Sequence, residues 1–145
     1  MSQIDGPTQR WLEDTLQQFG AIAGTVHHEH GGDLHLTAAC NIPPPVLERV
    51  TLVPRGKGMA GLAQVRREPI QTCNLQQDET GRINPMAKLV GGQAAVALPV
   101  LDGVGAVRAV VGLAFAFEGE VPAEDVSRMS DAAATVPPFE PQAPS

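Results

Sequence analysis

Four histidines stand close together in the sequence, at His27, His28, His30 and His35. Two glycines separate the last two, and such a pair readily adopts the positive φ angles that the tight turn of a β-hairpin requires. With that turn, His28 and His35 face each other and His30 lies on the same side of the hairpin. Three imidazoles so placed are candidate ligands for Zn²⁺, Ni²⁺ or Cu²⁺, although no fourth ligand stands beside them and a one-residue shift in register would separate the three. The alternative is a solvated hairpin with ordinary surface histidines, so we expect no bound metal.

Cys40 and Cys73 are the two thiols of the chain. Two cysteines are too few for a disulfide scaffold, and they have neither C-x-x-C spacing nor a neighbouring histidine that the sequence can pair with them. Cys40 ends the second predicted strand and Cys73 ends the fourth, so either thiol could face a cavity. We name both as candidate ligand contacts, and the alternative is that each is a small apolar filler.

A long segment, residues 74–92, separates the fourth predicted strand from the fifth. It contains turn-forming residues and only a short apolar patch, and long loops of this kind often bind ligands. Asn74, Asp78 and Arg82 are therefore candidates for orienting a small polar ligand. As polar residues of an exposed loop, they would also need no function at all.

The stretch LVPRGKGMAGL contains a G-x-G-x-x-G pattern at Gly56, Gly58 and Gly61. A dinucleotide fingerprint requires a buried strand that runs directly into the glycines and an acidic residue at the end of the next parallel strand. Here Pro54 interrupts a strand of three residues, and the next strand ends without an acidic residue. We therefore predict that Gly56 and Gly58 form a sharp turn and that Gly61 lets the following helix lie close to the sheet.

The elements that must position these residues follow in the order α, ββ, short α, β, α, β, long loop, ββ, α. Terminal helices are predicted over residues 8–20 and 122–136, where apolar residues recur at helical spacing. The runs QAAVALPVL and AVRAVVGLAFAF flank a DGVG turn and predict a hairpin of long apolar strands at the centre of a sheet. This order predicts an α+β fold in which both terminal helices cover one face of a mostly antiparallel sheet.

Three segments in this order, LTAACNIPPPVLERVTLVPRGKGMAGLAQVRREPIQTCNL, AAVALPVLDGVGAVRAVVGLAFAF and PAEDVSRMSDAAATV, together resemble a GAF domain, a small sensory module related to PAS domains. The resemblance covers residues 8–136 and leaves an N-terminal tail, residues 1–7, and a proline-rich C-terminal tail, residues 137–145. It implies a GAF/PAS-like central six-stranded antiparallel sheet, a ligand cavity roofed by loops on one face, and terminal helices on the other face that often dimerise. The family usually has Asp at the position of Asn74.

The family that the chain resembles includes one enzyme branch, the free methionine-R-sulfoxide reductases, which use cysteines in the cavity. Their glycine turn resembles G-x-G-V-C-G, and this chain has Ala60 at the position of that cysteine. The patterns of the bilin-binding and cyclic-nucleotide-binding members are not found either. We therefore expect a small-molecule-sensing signalling domain without catalysis of its own. The alternatives are a thiol-dependent reductase of that branch and a ligand-free protein-interaction scaffold.

The formal net charge of -6 and the scarcity of adjacent basic residues argue against nucleic acid as a partner. No apolar run reaches the ~18 to 20 residues that span a bilayer, and the N-terminus lacks the regions of a signal peptide, so we predict a cytoplasmic protein with no membrane partner. The sequence does not identify a cofactor, so that question stays open. Trp11, Leu12 and Leu16 form an apolar stripe on the first helix, and we expect them to pair two copies into a homodimer that acts on a signalling partner protein. The alternative is a monomer in which these side chains turn inward.

Overall fold

The computed structural model describes residues 4–71, 94–117 and 120–139. Within them lie the helices α1 (Gly6–Phe19), α2 (Pro44–Val50), α3 (Gly58–Arg66) and α4 (Ala123–Ala133). The strands are β1 (Ala23–His30), β2 (Asp33–Cys40), β3 (Leu52–Val53), β4 (Ile70–Gln71), β5 (Ala94–Leu101) and β6 (Val107–Phe115). They form one antiparallel sheet in the order β3-β2-β1-β6-β5-β4, which confirms the predicted α+β fold and its six-stranded sheet. None of the helices in these residues is long and apolar enough to cross a membrane.

The two faces of the sheet pack against different helices. α1 and α4 cover one face, where Leu12 and Met129 join a buried cluster with alternate residues of the strands. α3 covers the other face, where Ala63 belongs to a second cluster with Leu34 and Val110. β5 and β6 are buried on both faces because they lie inside the sheet and are apolar at nearly every position. The predicted placement of both terminal helices on one face is confirmed.

α1 begins at Gly6, two residues before the predicted start. Asp5 is its N-cap, and one carboxylate oxygen accepts hydrogen bonds from the backbone N–H of Thr8 at 3.2 Å and from the Thr8 hydroxyl at 2.6 Å. Gly20 ends the helix with a φ of 71°, as the sequence predicts. The boundary expected between an N-terminal tail and the domain therefore lies inside α1.

The turn between β1 and β2 has the predicted geometry. Gly31 and Gly32 have φ angles of 66° and 94°, which a residue with a side chain rarely adopts. The register places His28 opposite His35, as predicted. From the other face, the Gln64 side chain of α3 donates a hydrogen bond of 2.8 Å to the carbonyl of Gly32 and ties the turn to that helix.

The segment that follows α4 packs back onto the domain. Val136 is buried, and the carbonyl of Pro137 lies 2.9 Å from His28 Nε2. Arg108 donates to the carbonyls of Ala134 and Val136 at 3.2 and 3.0 Å, where the end of a helix carries partial negative charge. The C-terminal tail expected from residue 137 onward thus starts with residues that contact the sheet.

Candidate functional site

A cavity of about 120 Å³ lies between the sheet and the N-terminal end of α3. Its floor is a row of small residues across three neighbouring strands, in which Gly112 of β6 pairs with Thr25 of β1 on one side and with Ala97 of β5 on the other. Because these side chains are short, they leave space beneath α3 that longer ones would fill. Val50 and Val53 contribute apolar side chains to the wall of the cavity. The cavity therefore lies on the face opposite α1 and α4, where the sequence resemblance implied a ligand site.

His27 is a buried polar side chain at this cavity. It is only 3% exposed, and its Nε2 lies 2.7 Å from the carbonyl oxygen of Val50. A carbonyl can only accept, so Nε2 carries the proton and donates it, and in the neutral ring Nδ1 is then a lone-pair acceptor. Nδ1 is buried and has no hydrogen-bond partner among the described residues. Since His27 lines the cavity, an occupant with a donor can satisfy this nitrogen.

Burial keeps this imidazole neutral. Loss of solvation lowers the pKa of His27 to about 4, the hydrogen bond to Val50 opposes that change, and the nearby His28 and His35 lower it further. Thr25, two residues earlier on the same strand, also lines the cavity and is 3% exposed. At neutral pH the floor of the cavity is therefore uncharged and presents an acceptor nitrogen beside a hydroxyl.

The N-terminal end of α3 forms the other polar part of the cavity wall. Lys57 is the N-cap and provides no side-chain cap, so the first N–H groups of the helix have no acceptor within it. Gly58, Met59 and Ala60 of the first turn line the cavity together with the exposed Lys57. The helix end carries partial positive charge and the ammonium adds a full one, so this side of the cavity favours an anionic group.

As predicted, the glycine turn positions the N-terminal end of α3. The contact made by Gly61, however, differs from the predicted one. Gly56 and Gly58 have φ angles of 82° and 64°, which confirms their role as turn residues. A Cβ on Gly61 would lie 2.7 Å from the backbone carbon of Gly56. The prediction that Gly61 allows close approach to the sheet is therefore wrong, because the third glycine lets the helix fold back against its own turn.

Known structures share this architecture. A type II free methionine-R-sulfoxide reductase from Thermoplasma acidophilum matches with a TM-score of 0.70 and 13% identity, over 86% of this chain and 83% of its own. The GAF domain of a phosphoenolpyruvate-protein phosphotransferase from Acinetobacter matches with 0.66 and 15% identity, over 86% and 74%. A GAF domain/HD domain protein from Geobacter sulfurreducens matches with 0.65 and 12% identity, over 89% and 88%. The chain has a GAF-like fold. Comparisons with protein-family models and with curated protein sequences gave no match.

The GAF-like fold places Cys40 away from the cavity. Its side chain packs with the cluster beneath α1, and its sulfur lies 3.4 Å from Gln9 Nε2. Burial, followed by the negative charge of Glu13, raises the pKa of this thiol. The expectation that Cys40 faces the ligand cavity does not agree with this position, because alternation along β2 turns Cys40 to the same face as Ala38.

Four other predicted ligand contacts lie outside the described residues. They are Cys73, Asn74, Asp78 and Arg82, within residues 72–93. The loop expected to roof the cavity, residues 74–92, falls in the same part of the chain. Its contribution to the site stays a prediction.

The three candidate metal ligands share one side of the β1–β2 hairpin, but they differ in their surroundings. The rings of His30 and His35 lie edge to face with centroids 5.8 Å apart. His28 is buried, with Nδ1 2.7 Å from the Thr37 hydroxyl and Nε2 2.9 Å from the carbonyl of Pro137. Both of its ring nitrogens are thus engaged within the protein. Among the residues that the structure describes, no three His, Cys, Asp or Glu side chains are grouped to hold a metal ion.

The apolar stripe of α1 faces the core of the GAF-like fold. Leu12 and Leu16 are 0% and 7% exposed, so they cannot form the predicted contact between two copies. Trp11 is half-buried, and its indole N–H donates to the Thr135 hydroxyl at 3.0 Å. Leu12 and Leu16 are therefore excluded from such an interface, because packing within one chain already uses them, and the homodimer itself stays a prediction.

The sequence interpretation missed His27 as a site residue, although it named the histidine cluster. A usable signal was present, since a strand that turns His28 and His30 to one face must turn Thr25 and His27 to the other. The small residues Ala97 and Gly112 were assigned to central strands, but sequence alone did not show that both lie in one row beneath α3.

Proposed function

We propose that this chain is a small-molecule-sensing GAF-like domain without catalysis of its own, and that its ligand occupies the cavity beneath α3. The observation that carries the proposal is the buried, unpartnered Nδ1 of His27 at an otherwise mostly apolar cavity. Buried polar atoms in folded proteins are nearly always hydrogen-bonded, so such an atom at a cavity favours a bound molecule. His27, Thr25 and the first turn of α3 would hold it.

The chemistry of the described cavity wall favours binding over turnover. Its polar side chains are Thr25, His27 and Lys57, and no thiol or carboxylate lines the part that the structure describes. Ala60 occupies the first turn of α3, where the reductase branch of the resembling family has a cysteine. His27 is neutral, and its Nε2 donates a hydrogen bond to the Val50 carbonyl. Its Nδ1 is therefore suited to accept a hydrogen bond from a ligand.

Strand β1 offers a route from the ligand to the terminal helices. His27 faces the cavity, and its neighbour His28 contacts the segment that follows α4. A ligand changes that contact only if it binds more tightly to one arrangement of the strand than to the other. We propose that the signal leaves through α1 and α4, in a homodimer that acts on a partner protein in the cytoplasm.

Native mass spectrometry of freshly purified protein tests the proposal. We expect the wild-type chain to retain a non-covalent small molecule that is released on denaturation. Ala97→Leu places a larger side chain on the cavity floor and should abolish retention, whereas Val104→Leu, at an exposed position in the turn after β5, should not. Retention of the same molecule by Ala97→Leu would place the ligand elsewhere and contradict the proposal.

The second candidate is a thiol-dependent reductase, favoured by the similarity of the fold to the Thermoplasma acidophilum enzyme. An assay with free methionine-R-sulfoxide and a thiol reductant separates the two candidates. The proposed function predicts no rate above that of the buffer. A rate that disappears in Cys73→Ser and persists in Cys40→Ser would make the reductase the better assignment.

A further inference from the structure

We propose that the cavity binds a compact organic acid, which presents an N–H or O–H donor to His27 Nδ1 and its anionic group to the N-terminal end of α3. This inference rests on the proposed function and specifies the ligand class. Three features of the site carry it: the hydrogen-bonding direction of His27, the charge at α3 and the volume of the cavity.

The hydrogen-bonding direction of His27 follows from its two nitrogens. Nε2 lies 2.7 Å from the Val50 carbonyl, which fixes the proton on that nitrogen. Nδ1 is left as an acceptor with no partner in the described residues. A second ring proton is disfavoured, because burial lowers the pKa of His27 to about 4. The ligand atom that meets Nδ1 is therefore a donor, and a ligand that offers only acceptors there would leave the nitrogen unsatisfied.

The charge at α3 selects the other end of the ligand. The first-turn N–H groups have no acceptor within the helix, and no side chain caps them. Gly58, Met59 and Ala60 bring this turn to the cavity wall, and Lys57 stands at the same wall with an exposed side chain. Open N–H groups, the helix dipole and an ammonium all favour an anion at this position. The buried nitrogen of His27 is the independent feature that points to a bound molecule rather than to solvent.

The volume of the cavity bounds the ligand. A cavity of about 120 Å³ is slightly smaller than an engineered apolar cavity of roughly 150 Å³ that takes benzene. A five-membered ring therefore fits within it, with the anionic group at the α3 wall. The neighbouring Val50, Val53 and Ala97 favour an apolar ring body over a hydrated chain. Water alone is the competing occupant, and it requires about two to four polar partners.

Three probes of nearly equal size and shape separate the two predicted contacts. Pyrrole-3-carboxylate has both the ring N–H and the carboxylate, furan-3-carboxylate replaces the donor by an acceptor oxygen, and pyrrole-3-carboxamide removes the charge. Titration by calorimetry or by ligand-observed NMR should show the pyrrole acid binding about tenfold more tightly than either analogue, a difference of about 1.4 kcal/mol for the loss of one hydrogen bond or one charge contact. Added salt should reduce the difference in affinity between the pyrrole acid and its carboxamide, and it should leave the difference between the pyrrole and furan acids unchanged.

A variant pair assigns the donor preference to His27. His27→Phe keeps an aromatic ring without the acceptor, and it should bind the pyrrole and furan acids equally. His30→Phe, at an exposed position on the same strand, should keep the wild-type preference. If His27→Phe does not fold, the ¹⁵N resonance of Nδ1 in the wild-type protein gives the same answer. It should move upfield with the pyrrole acid and stay in place with the furan acid.

The outcomes distinguish this inference from the proposed function. Equal affinity of wild-type protein for the pyrrole and furan acids overturns the donor contact, while binding itself would still support a ligand cavity. Equal affinity for the pyrrole acid and its carboxamide overturns the anion contact. Binding of none of the three overturns the ligand class, and the proposed function is then decided by the Ala97→Leu comparison in native mass spectrometry.

Discussion

His27 and His28 are adjacent in β1 and lie in different environments, because successive residues of a strand point to opposite faces of the sheet. His27 lines the cavity, while His28 contacts Thr37 and Pro137 on the face covered by the terminal helices. Burial lowers the pKa of both imidazoles. β1 therefore carries two neutral histidines, one on each face.

Acid should destabilise the fold through His27. Its pKa is 6.5 in the unfolded chain and about 4 in the folded protein, so between these values the unfolded chain binds more protons. Its contribution to stability is complete above about pH 6.5 and is lost as the pH falls to about 4, which lowers the free energy of unfolding by about 3 kcal/mol. Urea unfolding at a series of pH values measures this change.

The same variant pair provides the control for this titration. Between pH 6.5 and 4, the free energy of unfolding of His27→Phe should fall less steeply than that of the wild type, because its unfolded chain takes up about one proton fewer. His28 contributes to the loss in both proteins. His30→Phe, at an exposed position on the same strand, controls for the histidine-to-phenylalanine exchange itself. Parallel curves for the wild type and His27→Phe would show that His27 is not buried in the neutral form.

At the scale of elements, the glycine turn before α3 depends on Gly61. A Cβ there would lie 2.7 Å from the backbone of Gly56, and backbone cannot move aside as a flexible side chain can. Gly61→Ala should therefore cost about 1 to 3 kcal/mol in the free energy of unfolding, despite the better helix propensity of alanine. Gly103→Ala is the matched control, because no atom lies within 4 Å of the place that its methyl group would take and its φ is not in the left-handed region. Equal midpoints in chemical denaturation for the two variants would contradict the close contact.

The N-terminal cap of α1 is a second test at this scale. Asp5→Ala removes the acceptor for the Thr8 N–H and hydroxyl, and it should cost about 1 kcal/mol. Asp5→Asn keeps a side-chain oxygen and should retain most of that stability. A thermal unfolding series on the three proteins measures the order, and an Asn variant as unstable as the Ala variant would indicate that charge, rather than the cap, is what matters.

At the scale of the whole molecule, we still expect a homodimer on the face of α1 and α4, through other residues than those first predicted. Phe117 is 45% exposed and its ring lies 5.2 Å from that of Phe115, and both line a surface pocket together with the half-buried Phe19. Burying such a patch symmetrically between two chains stabilises a C₂ pair. Light scattering should give the mass of two chains for the wild type and of one chain for Phe117→Glu. Val104→Glu, which alters an 89% exposed residue in the β5–β6 turn, should remain dimeric; a wild-type mass of one chain would remove the dimer.

The fold could be predicted from the sequence because its signals are local. The Gly31-Gly32 turn, the stop at Gly20 and the apolar runs of β5 and β6 each depend on neighbours in the chain. The cavity could not, since its floor combines Thr25, Gly112 and Ala97 from three strands that only the register brings together. The apolar stripe of α1 was assigned to a dimer interface for the same reason, because the sequence does not show whether Leu12 packs against its own sheet or against a second chain.

The hydrogen bond between Trp11 and Thr135 gives the molecule a built-in optical reporter. Trp11 is the only tryptophan of a chain without tyrosine, and its indole N–H reaches the segment that follows α4 at 3.0 Å. Fluorescence excited in the tryptophan band therefore reports only on the contact between α1 and the segment that follows α4. A rearrangement of α1 against α4 on ligand binding would change the emission of unlabelled protein, so the proposed transmission across the sheet can be tested in real time with the native sequence.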